Sequence, residues 1–184
     1  MSTQPQGEPR WLSDSEQIAW RAYLRGSRIL EEALDRDLQA HGLQLSEYEI
    51  LSMLSESERQ RLRMSELADI VVQSRSRLTH TATRLEKRGW VTRESCLSDR
   101  RGVELVLTDQ GRERLIETAK AHVESVRRHL LDVMSPEEFE ALGSAMSRVR
   151  DAAMGIHEEC IAEQCAEAEL EEELENPLPV PSPN

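Results

Sequence analysis

The side chains best suited to reading another molecule lie in one short stretch: Arg75, Ser76, Arg77, Thr79 and His80, just after Ser74. A guanidinium presents two parallel donors that match the O6 and N7 acceptors of guanine, Ser and Thr hydroxyls serve phosphates or base edges, and a Thr methyl can touch thymine. Further along, Asp99, Arg100 and Arg101 place two cations next to an acid. The acid can hold one guanidinium in a fixed direction through a bidentate pair. Arg84 and Arg93 lie between the two groups. The chemistry implied is recognition of a polyanion with edges to read, as in double-stranded DNA.

The charge balance supports this only after it is mapped. The 184-residue chain carries a formal net charge of -12, yet residues 59–101 hold eleven Lys and Arg against five Asp and Glu, a local +6. A basic stretch on an acidic protein is an electrostatic footprint. A solvated charged surface would give the same local charge, so spacing has to decide.

The elements that position these residues follow from pattern. Ser13-Asp14-Ser15-Glu16 and Ser46-Glu47-Tyr48-Glu49 read as capping boxes that open helices. The first is long, with an apolar stripe that includes Ile18, Tyr23, Ile29, Leu30, Ala33, Leu34 and Leu38, and Gly42 stops it. Residues 55–63 read as a polar loop, residues 64–71 as a helix of about two turns, and Gln73-Ser74 as a short break. The helix over 75–88 ends at Gly89, which suits a left-handed C-terminal cap. Within it Leu78, Ala82 and Leu85 share the inward face, while Ser76, His80, Thr83, Arg84 and Lys87 point away. The period then changes. Trp90-Val91-Thr92-Arg93 reads as extended and Val103-Glu104-Leu105-Val106-Leu107 as the return strand, joined by a basic tip. Thr108-Asp109 and Ser135-Pro136-Glu137-Glu138 open two further helices. In the last, Phe139, Leu142, Met146, Val149, Ala153, Ile156 and Cys160 form a seam for another helix.

The expected fold is therefore mainly α with a small β-hairpin wing: a winged helix-turn-helix flanked by N- and C-terminal dimerisation helices. The expected divisions are a flexible lead (1–12), an N-terminal dimerisation helix (13–45), the winged lobe (46–107), C-terminal dimerisation helices (108–162) and an acidic, Pro-rich disordered tail (163–184).

Three segments in this order, Leu85-Glu86-Lys87-Arg88-Gly89-Trp90-Val91, Asp99-Arg100-Arg101 and Leu107-Thr108-Asp109-Gln110-Gly111-Arg112, resemble the MarR family of bacterial regulators, over about residues 13–156. Asp99 and Arg101 match the family's Asp-x-Arg wing motif. The resemblance implies a triangular homodimer on a palindromic operator, most often a repressor. It also implies release by a small phenolic effector or an oxidant in many members. The lead and the tail lie outside it.

The remaining candidates carry less. Trp20, Tyr23 and His41 can line an effector pocket between the dimer helices and the DNA-binding lobe, or be plain dimer core. Of Cys96, Cys160 and Cys165, Cys96 has cationic neighbours in sequence (Arg93, Arg100, Arg101), which would favour a thiolate. An incidental thiol is the commoner case. His157 and Cys160 are one turn apart, too little for a metal site, and neither a metal nor a cofactor is implied. No phosphate-binding Gly loop, nucleophile motif or paired-carboxylate site points to an enzyme. With no membrane span and no signal pattern, the expected location is the cytoplasm. The alternative reading is a winged-helix interaction module or antirepressor without DNA binding. The Arg-rich first turn and the Arg-tipped hairpin argue against it.

Overall fold

Helix ends leave backbone N–H groups bare, and the sequence supplies their partners. In the computed structural model, which describes residues 9–96 and 102–155, Ser13 Oγ accepts from Glu16 N at 3.3 Å while Glu16 Oε2 accepts from Ser13 N at 2.7 Å. This box opens α1 (Asp14–Gln39). The chain continues through α2 (Leu45–Glu56), a 3-10 turn (Glu58–Gln60), β1 (Arg61–Arg63), α3 (Met64–Ile70), α4 (Arg75–Lys87), β2 (Val91–Ser95), β3 (Val103–Leu107), α5 (Asp109–His129), a second 3-10 turn (Leu131–Val133) and α6 (Pro136–Met154). Residues up to Val133 form one compact unit, and α6 belongs to a second that starts at Met134.

The expected helix-turn-helix and wing are present, with two corrections. The capping box of α2 is Gln44 with Glu47, not Ser46 with Glu49. Asp35 Oδ1 accepts from Leu45 N at 2.8 Å and Glu47 Oε2 from Gln44 N at 3.0 Å. Those two bonds satisfy the amides two residues earlier than the Ser46 signal suggested. The expected loop at 55–63 contains β1, which pairs antiparallel with β3 (Leu62 opposite Leu105), giving a three-stranded sheet in the order β1-β3-β2. Arg61 Nη1 lies 3.3 Å from both Glu94 and Glu104, so the charges that made this strand look like a loop are paired across the sheet.

The core of this unit is aliphatic. Ile50, Leu51 and Leu54 of α2, Leu67 of α3, Leu78, Ala82 and Leu85 of α4, and Leu105 of β3 are fully buried. Each large side chain contributes about 1.5–3 kcal/mol by leaving water. Gly111 lets α5 start against the sheet: a Cβ there would stand 2.0 Å from the Trp90 carbonyl oxygen. Thr108 completes that junction by accepting from Gly111 N at 3.0 Å and donating to Gly89 O at 2.7 Å. Gly89 itself has φ +74°, the left-handed cap read from the sequence.

Along α1, Ile18, Trp20, Tyr23 and Ile29 are exposed, as are Ile116 and Val123 of α5. Among the described residues, no helix is long and apolar enough to cross a membrane.

Candidate nucleic-acid interface

The break before α4 is longer than Gln73-Ser74. The preceding helix stops at Ile70, Val72 takes a left-handed φ of +49°, and Ser74 Oγ caps the new helix by accepting from Arg77 N at 3.3 Å. Leu78, Ala82 and Leu85 anchor one face in the core. That leaves Ser74, Arg75, Ser76, Arg77, Thr79 and His80 exposed over the first two turns. Among the described residues, the side chains of Arg75, Ser76, Arg77 and His80 make no hydrogen bond. Thr79 Oγ1 donates to Arg75 O at 2.7 Å, and its oxygen remains able to accept. Beside them lies an open concavity of about 400 Å3, lined by Arg77 and His80 and also by Gln44 and Ser46 of the α2 start. Sequence reasoning missed these last two, because only the fold brings the start of α2 alongside α4.

Glu49 of α2 is half-buried, and its carboxyl is pushed above the usual range by burial and then by Glu31. Arg77 pulls the other way. The field of Arg77 is thus felt by α2 without a bond that would hold its guanidinium.

Two cations expected at the interface also bond within the chain, although Arg84 lines that same concavity. Arg84 Nε donates to Glu47 Oε1 at 3.1 Å and its Nη2 to Gln44 Oε1 at 2.6 Å. Arg93 donates to Glu86 Oε2 at 2.5 Å, Thr79 O at 3.1 Å and Thr83 Oγ1 at 3.0 Å. Both were expected to reach outward because helix phase and strand position leave them off the core. Each instead finds acceptors on a neighbouring element that sequence spacing does not reveal. They brace α4, the first against α2 and the second against the wing.

The wing narrows to Cys96, whose N donates to Gly102 O at 3.0 Å. Asp99, Arg100 and Arg101 at its tip lie outside the described residues, as do His157, Cys160 and Cys165. Cys96 is buried, and among the described residues Arg63 Nη2 of β1, a cation the sequence reading does not name, donates to its Sγ at 3.3 Å, while Arg93 turns to α4.

The proposed effector trio does not assemble within one chain. Trp20 and Tyr23 stack with ring centroids 5.9 Å apart. His41 follows the C-terminal end of the same helix, roughly 24 Å further along at 1.5 Å per residue. A straight helix cannot fold its two ends onto one ligand.

A helix-turn-helix with its second helix bare over the first turns, followed directly by a three-stranded wing, defines a winged-helix DNA-binding protein. The MarR family model matches residues 43–103, the span from the α2 start to the wing. The HTH-type transcriptional regulator PecS of Dickeya dadantii is 31% identical over 126 residues, 68% of this chain and 75% of that relative. The transcriptional repressor MprA of Escherichia coli is 36% identical over 91 residues, 50% of this chain and 51% of that relative. Sco3205, a MarR family transcriptional regulator from Streptomyces coelicolor solved in complex with DNA, is 47% identical with a TM-score of 0.75, covering 78% of this chain and 91% of that one. The chain belongs to the MarR family of transcriptional regulators.

Proposed function

We propose that the protein is a transcriptional repressor that binds a palindromic operator in double-stranded DNA as a homodimer in the cytoplasm. One observation carries the reading: the first two turns of α4 expose Arg75, Ser76, Arg77 and His80, whose side chains make no hydrogen bond among the described residues, on a helix whose opposite face is locked in the core. Arg75 and Arg77 read base edges, and Ser74, Ser76, Thr79 and His80 serve phosphates or neighbouring bases. Asp99, Arg100 and Arg101 at the wing tip reach the flanking minor groove. The relative solved with DNA and the relative named a repressor support the assignment.

Dimerisation rests on the helices at the two ends, 13–45 and 108–162. The large apolar side chains that α1 and α5 leave exposed support this, since burying them against a partner would remove that surface from water. The dimer would hold two recognition helices about one DNA turn apart, roughly 34 Å. A small phenolic effector acting near the dimer helices, where Trp20 and Tyr23 stack, would change that spacing and release the DNA. The test is selection of bound fragments from a genomic pool, followed by sedimentation of the complex. A recovered inverted repeat carrying two protomers supports the reading. Recovery of no fragment in dilute buffer, or a single protomer on an asymmetric site, overturns it.

A further inference from the structure

Glu47 is the most deeply buried carboxylate of the described chain, 1% exposed, and it faces Arg84 of the recognition helix and Arg88 at that helix's C-terminal cap. Its Oε1 accepts from Arg84 Nε at 3.1 Å, and its Oε2 from Arg88 Nη1 at 3.4 Å and from Gln44 N at 3.0 Å. Arg88 Nη1 also donates to Gly42 O at 3.0 Å, and Arg84 Nη2 reaches Gln44 Oε1. One side chain therefore starts α2 and fastens the C-terminal half of α4 to α2 and to the turn before it. Both arginines remain nearly half exposed, so either could turn to a duplex once its bond to Glu47 is gone. Arg84 sits two helical turns beyond Arg77, about 10 Å along the axis. With the first turns of α4 in a groove, that distance places it beside the phosphates rather than the base edges.

We propose that Glu47 is a positioning residue that sets sequence specificity: it withholds Arg84, and with it Arg88, from the phosphate backbone and fixes the tilt at which Arg75 and Arg77 enter the groove. This rests on the DNA-binding reading above. An arginine released next to a phosphate adds the same affinity on any sequence. Holding it back lowers binding to random DNA more than binding to the operator. A buried carboxylate does this better than an exposed one, because water screens its hold on the guanidinium less.

The experiment uses the full-length protein, a selected operator duplex and a random-sequence duplex across a salt series. In Glu47→Gln the random duplex should bind about tenfold tighter near 0.1 M salt, and its slope of log K against log salt should steepen by about 0.9 per cation released. The ratio of operator to random affinity should fall by about tenfold or more. Adding Arg84→Gln to Glu47→Gln should return the slope most of the way to wild type, which a merely structural role for Glu47 would not do. Arg84→Gln alone should leave the random-duplex slope unchanged, and this arm stands even if Glu47→Gln does not fold. An unchanged or shallower slope in folded Glu47→Gln, or a slope reduced by about 0.9 in Arg84→Gln alone, overturns the proposal. Wild-type protein that binds neither duplex overturns instead the reading it rests on.

Discussion

Arg93 of the wing and Glu86 of the recognition helix are joined by an ion pair of 2.5 Å, and the same guanidinium donates to Thr79 O and Thr83 Oγ1. One side chain thus spans two turns of α4 from the root of β2. A wing fixed to the helix in this way would dock with it as one body, and the proposed major- and minor-groove contacts would then be made in a set register. Arg93→Ala should weaken operator binding about three- to tenfold, corresponding to roughly 0.7–1.4 kcal/mol for a partly buried charged pair with two further hydrogen bonds. Its salt slope should stay at the wild-type value, because no phosphate contact is removed. Fluorescence anisotropy over a salt series separates this from a direct contact, which would lower the slope.

Asp37 links α1 to α5. It accepts from Ser125 Oγ at 2.5 Å, from Arg128 Nη2 at 2.6 Å, and stands 3.1 Å from His129 Nε2. The Ser125 hydroxyl does most to hold its carboxyl down, burial opposes it, and Arg128 and His129 add to the lowering, for a pKa of about 2 against an ordinary 3.8. A depressed carboxylate stabilises the fold fully above its unfolded value and loses that contribution as pH falls through the folded one. The wild type should therefore lose stability between about pH 4 and pH 2. Asp37→Asn should be less stable at neutral pH and flatter across that window. Urea melts at successive pH values measure both, and parallel curves for the two proteins would contradict the assignment.

Val72 is 90% exposed with φ +49° in the turn that sets α4. A β-branched residue is strained there, whereas Asn tolerates the left-handed region. Val72→Asn should stabilise the protein by roughly 0.5–1 kcal/mol, since almost no apolar burial is lost. Denaturant midpoints at constant m-value give the answer, and a destabilised variant would show that the turn makes contacts beyond its backbone.

The parts of this molecule that follow from local chemistry were legible in the sequence. Ser13 with Glu16, Ser135 with Glu138, Gly89 after α4 and the Leu78-Ala82-Leu85 face each need only neighbouring residues to define them. What escaped depends on partners distant in the chain. Arg61-Leu62-Arg63 reads as loop until Glu94 and Glu104 arrive from the other strands to pair with Arg61. Arg84 and Arg93 read as outward cations because helix phase says nothing of an acceptor 37 residues away at Glu47, or of the way β2 returns to Glu86. The separation of His41 from Trp20 and Tyr23 follows from the length of α1. It was available in principle from the rise per residue.

If the exposed first turns of α4 read base edges, losing one arginine there must cost discrimination between sequences as well as affinity. The most direct test compares wild type with Arg77→Ala on the selected operator, on single-base variants of it and on random duplex, all at one salt concentration. Arg77→Ala should lose about 1–3 kcal/mol on the operator, show a collapse of discrimination at one base pair in each half-site, and change little on random DNA. Equal losses on every sequence, or none on any, would contradict it.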